Sequence, residues 1–234
     1  MQPSTTGLLA SPNQSPSRFA KIAILMTGFQ LIELDWPSTA DLETPPALPA
    51  TLFLRRIRAL RERMEKSRIE LALIYGDREH FANLHFFTNF DPRFEEALLV
   101  VNRNENPLLL VGNECQAYLP ISPLWRSGEV RMVLFRLFSL EDQTRTLSRT
   151  LQDILQSEGA TKDAPIALIG SKTYTSQFHS DLPSYIVDTA REIAGFEQCL
   201  NCSGWMIDNA SLSLIHISEP TRLRRISYAV FCLK

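Results

Sequence analysis

The feature that most constrains this 234-residue chain is a short apolar run that stops against charge. Ile69-Glu-Leu-Ala-Leu-Ile-Tyr75 ends at Gly76, and Asp77-Arg-Glu-His80 follows at once. The run is too short for an ordinary helix and suits a strand buried on both faces. Four ionisable side chains cannot continue that strand, because desolvating unpaired charge is too costly. They belong at its carboxyl end, where open α/β sheets place ligand sites. Leu84, Phe86 and Phe87 predict a second short strand. Asn89-Phe-Asp-Pro92 predicts a turn, since Asn and Asp tolerate turn geometry and Pro fixes φ. Ala97–Val101 is a third strand. Leu108–Val111 follows the polar Asn102–Asn106, a spacing that predicts an antiparallel hairpin.

The flanks supply helices. Leu54, Ile57, Leu60 or Arg61, and Met64 recur at helical spacing over residues 51–67. The other face carries Arg55, Arg56, Arg58, Arg63 and Lys66. It reads as a solvated face rather than a nucleic-acid patch, because no aromatic stacking platform accompanies it. Glu114–Tyr118 suits a short helix stopped by Pro120 and Pro123, and Val130–Phe135 a strand. Ser139 is the expected N-cap of a helix carrying Leu140, Leu147, Leu151, Ile154 and Leu155, with Asp142 in a capping-box variant and Gly159 as its stop. Pro165–Ile169 is a strand, and the order from Val130 to Gly170 predicts a right-handed crossover joining a parallel pair. A third helix, Leu182–Ala194, has Asp181 as expected cap, Pro183 in its first turn and Gly195 at its end. The sum is an α/β fold: a single mixed-sheet domain with helices on both faces.

The central residues carry a resemblance. A basic helix before Leu71-Ala-Leu-Ile-Tyr75, then Phe86-Phe-Thr-Asn-Phe90, looks like the N-terminal domain of the creatinase/aminopeptidase P/prolidase metallopeptidases, with Asn89 where that family often has Gly. Tyr75-Gly-Asp-Arg-Glu-His-Phe-Ala-Asn83 and Phe90-Asp-Pro-Arg-Phe-Glu-Glu-Ala97 resemble a bacterial Xaa-Pro aminopeptidase-like subgroup. The resemblance implies a creatinase N-terminal-like fold with a ribonuclease H-like motif over residues 50–198. It also implies a non-catalytic role: dimer contacts and a wall of the substrate cleft in a homodimeric parent that hydrolyses a C–N bond of a peptide or small amide. The parent's divalent metal pair (Mn, Zn or Co) would be held by two Asp, a His and two Glu of a domain C-terminal to this one. No residue here matches those ligands, so no catalytic residue, metal ligand or cofactor is assigned to this chain.

Residues 1–20 are rich in Ser, Pro, Thr and Gln and are expected to be disordered. Residues 21–49 suggest a strand and a Pro-rich connector, and 199–211 the start of a linker. In residues 212–234, Leu212–Arg222 and Ile226–Leu233 read, in order, as translations of the two ends of a transposase-type sequencing-library adapter. This tail is therefore expected to be an artefact that cuts the native frame near Ser211.

The substrate-cleft candidates are Asp77, Arg78, Glu79, His80 and Arg93, against the blander reading of a surface turn with local ion pairs. Arg93 could hold a carboxylate bidentately, although pairing with Glu95 or Asp77 is the favoured role. Glu95 and Glu96 are adjacent on a strand, point to opposite faces and cannot form a catalytic pair unaided. The spacing of His80 and His85 suits no usual metal pair. Cys199-Leu-Asn-Cys202 follows a helix end, whereas redox motifs want the opposite placement. A net charge of −2 favours neither nucleic acid nor an anionic membrane. Four cysteines are too few for a disulfide framework and suit a cytoplasmic location. Ile22–Ile32 mimics a signal peptide but contains Gln30, lacks a cleavage site, and no segment is long enough to span a membrane. The alternative function is a non-enzymatic binding or scaffold domain. A thiol-redox protein using Cys199 and Cys202 is a third possibility.

Overall fold

The computed structural model describes residues 47–140 and 149–209. The expectations for residues 1–46, for the helix between Glu141 and Ser148, and for 210–234 lie outside the described residues.

Six strands form one sheet: β1 (Leu71–Gly76), β2 (Ala97–Asn102), β3 (Leu108–Val111), β4 (Arg131–Leu134), β5 (Ile166–Ile169) and β6 (Cys199–Asn201). Their spatial order is β4-β3-β2-β1-β5-β6. β2 is antiparallel to both β1 and β3, whereas β3–β4, β1–β5 and β5–β6 are parallel. Five strands thus run one way, and β2 runs against them. The β2–β3 hairpin is as expected. The parallel pair between the strands at 131–134 and 166–169 is not: three strands separate them, because β1 already occupies the neighbouring place of β5. The sheet also runs past residue 198, since Cys199–Asn201, read from sequence as linker, is its edge strand.

Alternating side chains feed two cores. Ala72 and Ile74, Leu99 and Val101, Leu109 and Val111, and Ala167 and Ile169 face one side. Leu71, Leu73 and Tyr75, Leu98 and Val100, Leu108 and Leu110, and Ile166 and Leu168 face the other. This period of two is what strand geometry dictates. Helix α1 (Ala50–Lys66) covers the first side with Phe53, Ile57, Leu60 and Met64. Each such side chain contributes about 1.5–3 kcal/mol when fully buried. Helix α4 (Leu151–Ser157) and helix α5 (Ser184–Ala194) cover the second through Leu151, Ile154, Leu155, Ile186, Val187 and Ala190.

The segment expected as a second strand is instead helix α2 (Ala82–Thr88). Leu84, Phe87 and Thr88 are its buried residues, at i, i+3 and i+4, a helical stripe too brief to separate from a strand by period alone. Asn89 closes it in the left-handed region at φ 57°, donating its N–H to the His85 carbonyl, so the place where the family often has Gly does require positive φ. Glu114–Ile121 is a 3₁₀ helix with Pro120 inside it, and Pro123 opens the short helix α3 (Pro123–Arg126) rather than stopping one.

The helix that carries Leu151, Ile154 and Leu155 starts at Leu151 with a capping box of its own. Thr150, not Ser139, caps α4: its hydroxyl accepts the Asp153 N–H at 3.1 Å and donates to the Asp153 carboxylate at 2.6 Å. Ser139 accepts the Asn113 N–H at 3.0 Å, and its expected pairing with Asp142 lies outside the described residues. Gly159 and Gly195 end α4 and α5 as expected, both at φ 102°. Asp181 does not cap α5; it accepts from the N–H and hydroxyl of Ser171 at 2.7 and 2.5 Å, leaving Pro183 as the N-cap residue.

One ion pair ties α4 to the far edge of the sheet. Glu158, 6% exposed, receives Arg131 Nη1 and Nη2 at 2.9 and 2.5 Å and the Asn102 amide at 3.1 Å. Removing Arg131 strands a buried carboxylate. Arg131→Ala should lower the unfolding free energy by about 3 kcal/mol, and adding Glu158→Gln should restore part of it. Urea unfolding of the three proteins checks this; an unchanged midpoint for Arg131→Ala would contradict it.

Candidate functional site

Because five strands share a direction, their carboxyl ends meet at one edge of the sheet, and reversed β2 brings its start to the same edge. The loop after β1 (Asp77–His80), the approach to β2 (Phe94–Glu96) and the segment after β4 (Leu137–Leu140) converge there on an open cleft of about 490 Å³. Asp77 organises the first loop, its Oδ1 accepting the N–H groups of Glu79 and His80 at 2.8 and 2.6 Å. His80 Nδ1 lies 3.3 Å from the same oxygen. Arg78, Glu79 and His80 are exposed.

Glu95 and Glu96 diverge as their adjacency requires. Glu95 is 3% exposed, and its carboxylate accepts the N–H groups of Glu114 and Cys115 at 3.2 and 2.9 Å, at the start of the 3₁₀ helix. Helix N-termini favour negative charge there. The packing demands glycine at 112, where a Cβ would approach Glu95 Oε2 to 2.5 Å. Glu96 turns to the α5 side and accepts the Tyr185 hydroxyl. Burial first, then the charges of Glu96 and Asp77, holds the Tyr75 phenol well above its ordinary range. Tyr185 is raised by burial first and then by its hydrogen bond to Glu96. The cleft therefore has a carboxylate at Glu96 fixed by a half-buried phenol, flanked by the exposed apolar groups Phe94, Leu137 and Leu140.

The cleft brings together Asp77, Arg78, Glu79 and His80, but not Arg93. Arg93 lies in an adjoining recess of about 360 Å³ with Arg78, Phe81, Asp91 and Phe94. It pairs with Asp91 at 3.7 Å, not with Glu95 or Asp77, and its φ is 60°. A turn in which the Arg93 N–H reaches Asp91 Oδ1 at 2.8 Å sets that geometry. Sequence reasoning missed Phe94, Leu137, Ser139 and Leu140 as cleft residues; nothing local links residues 137–140 to the β1 loop, since only the sheet order joins them. His85 sits on α2, where burial is the largest influence lowering its pKa. Among the described residues no group of three or more His, Cys, Asp or Glu could hold a metal ion. The implied metal pair thus has no fitting donor set among them.

The Cys199/Cys202 motif is split by the sheet, Cys199 packing in one core and Cys202 in the other. Both thiols are free and buried. Burial pushes Cys199 up to about 11 and Cys202 up to about 12, against weaker opposing charges from Arg191 and Arg63. A dithiol redox centre needs the reverse, a lowered pKa and facing sulfurs. Arg56 and Arg63, expected on the solvated face of α1, are only partly exposed and stack on Phe86 and Trp205.

Against protein-family profiles, residues 56–198, more than half of the chain, match the creatinase/prolidase N-terminal domain. A search of curated proteins found no match. Among solved structures, the chain is similar to dipeptidase PepE from Mycobacterium ulcerans, with 13% identity, 70% of this chain, 38% of that chain and a TM-score of 0.47. It is similar to the creatinase/prolidase N-terminal domain of an X-Pro dipeptidase from Streptococcus pyogenes, with 13% identity, 65% and 96% coverage and a TM-score of 0.43. It is also similar to prolidase from Pyrococcus furiosus, with 11% identity, 62% and 32% coverage and a TM-score of 0.38. The chain spans about two fifths of PepE and a third of that prolidase.

The raised phenols fix the sign of an alkaline effect. Below the ordinary value of 10.0 both are neutral in either state. Above it the unfolded chain releases protons that the folded chain keeps, so stability falls as pH rises. Tyr185→Phe should cost about 1 kcal/mol at pH 8 through its lost hydrogen bond, yet flatten the decline measured between about pH 9.5 and 11. A parallel decline in both proteins would contradict the assignment. The buried thiols should likewise resist an aromatic disulfide reagent at pH 8 and react fully in urea; native-state reaction of Cys199 or Cys202 would remove the burial argument.

Proposed function

The chain belongs to the creatinase/prolidase N-terminal domain family, and we propose that it is the non-catalytic N-terminal part of a peptidase-like parent. The parent hydrolyses a C–N bond, that of an Xaa-Pro peptide or a small amide, with water activated by a divalent metal pair. The metal, whether Mn, Zn or Co, and its ligands belong to a C-terminal domain. In a homodimeric parent this domain supplies dimer contacts and a wall of the substrate cleft. The observation that carries this is the match of residues 56–198 to the creatinase/prolidase N-terminal domain, joined to a charged cleft at the strand ends.

On this view Asp77 shapes the loop, Arg78, Glu79 and His80 face a bound substrate without touching the scissile bond, and Arg93 faces it from the adjoining recess. Among the described residues no helix is long and apolar enough to cross a membrane. Among the described residues, the free, buried Cys115, Cys199 and Cys202 support a cytoplasmic location.

Two measurements test the proposal. The purified chain, incubated with Mn, Zn or Co and an Xaa-Pro peptide, should release no amino acid; metal-dependent release would overturn the non-catalytic role. Sequencing the source locus past codon 211 should reveal a frame encoding two Asp, a His and two Glu as metal ligands. A native frame that encodes Leu212–Lys234 and stops would remove the peptidase parent and leave a binding or scaffold domain.

A further inference from the structure

A second pocket lies between α1, α2 and helix α6 (Trp205–Asn209), with a volume of about 160 Å³. It shares no lining residue with the cleft at Asp77–His80. Leu60, Phe87 and Met206 give it an apolar lining, and Arg56 and Arg63 are its charged members. The Arg56 guanidinium stacks 4.0 Å from the Phe86 ring centre, and that of Arg63 lies 5.5 Å from Trp205. Stacking occupies the face of a guanidinium and leaves its in-plane N–H donors available at the edge. Arg56 gives Nη1 to the Phe86 carbonyl at 2.6 Å. Four further N–H donors remain on that group, and no carboxylate of the described residues forms an ion pair with it. Burial, and then the nearby Arg55 charge, lowers its pKa.

Size narrows the ligand. An apolar cavity of about 150 Å³ holds one benzene, so the pocket accepts a single ring and not a drug-sized molecule. We propose that it binds a small carboxylate with one aromatic ring, the ring against Leu60, Phe87 and Met206 and the carboxylate on Arg56. A free amino acid is disfavoured, because its ammonium would come close to the Arg56 guanidinium that holds its carboxylate. The class is thus a plain arylalkyl carboxylate, distinct from any peptide in the cleft.

The test uses the full chain and amide chemical-shift titration with three probes: phenylacetate, phenylacetamide and L-phenylalanine. Phenylacetate should bind with a dissociation constant on the order of millimolar, moving the Trp205 indole and α1 resonances, and the two controls should bind about tenfold more weakly. Arg56→Gln should abolish the preference for phenylacetate over its amide. Ala59→Phe, a change at an exposed helix position lining the pocket, should block phenylacetate while leaving the folded spectrum intact. Equal binding of acid and amide would overturn the proposal. So would phenylacetate binding that survives Ala59→Phe, or no shift with phenylacetate at all.

Discussion

The rest of the structure hangs on β1. It is buried along its whole length and on both faces, paired on one side with antiparallel β2 and on the other with parallel β5. A strand so enclosed leaves its polar continuation no direction but outward at its end. That single constraint places the Asp77–His80 loop, brings the two cores to either side and decides which helices lie on which face. Sheets with both faces covered carry near-continuous apolar strands, and β1, β2, β3 and β5 all do.

Reversal of β2 is the second determinant. A fully parallel sheet would carry the start of this strand to the opposite edge, and Phe94–Glu96 would lie far from the β1 loop. The hairpin with β3 brings it back, and the pleat sends Glu95 to the 3₁₀ helix and Glu96 to Tyr185. Register matters for the same reason. A slip by one residue exchanges the faces of a strand; here it would push the Glu95 carboxylate, which has backbone donors waiting, into the apolar α5 side.

Much of this was legible in the sequence. Strand β1, the hairpin, helix α1, the final glycines of α4 and α5, and the exit of charge after Tyr75 follow from run length, period and turn chemistry. Three features were not. Helix α2 spans only seven residues, too few for a helical period to stand apart from a strand. The start of α4 at Leu151 was hidden because Ser139/Asp142 and Thr150/Asp153 are equally good local boxes, and nothing in the sequence ranks them. Sheet order was hidden because β5 pairs with β1, far back in the sequence, while β4 stays beside its chain neighbour β3. The cleft inherits that last blindness: its β1 wall could be read directly, but Leu137–Leu140 reach it only through the strand order.

The two walls of the cleft differ in how firmly they are rooted. The Asp77–His80 wall grows from a central strand with no exposed residue, the kind of segment that opens only when the whole domain unfolds. The Leu137–Leu140 wall follows β4, a half-exposed, four-residue edge strand bonded on one side alone. Local opening draws on such edges first. The charged wall is thus rooted in the centre of the sheet and the apolar wall at its rim, so a substitution that loosens the edge should alter the apolar wall before the charged one.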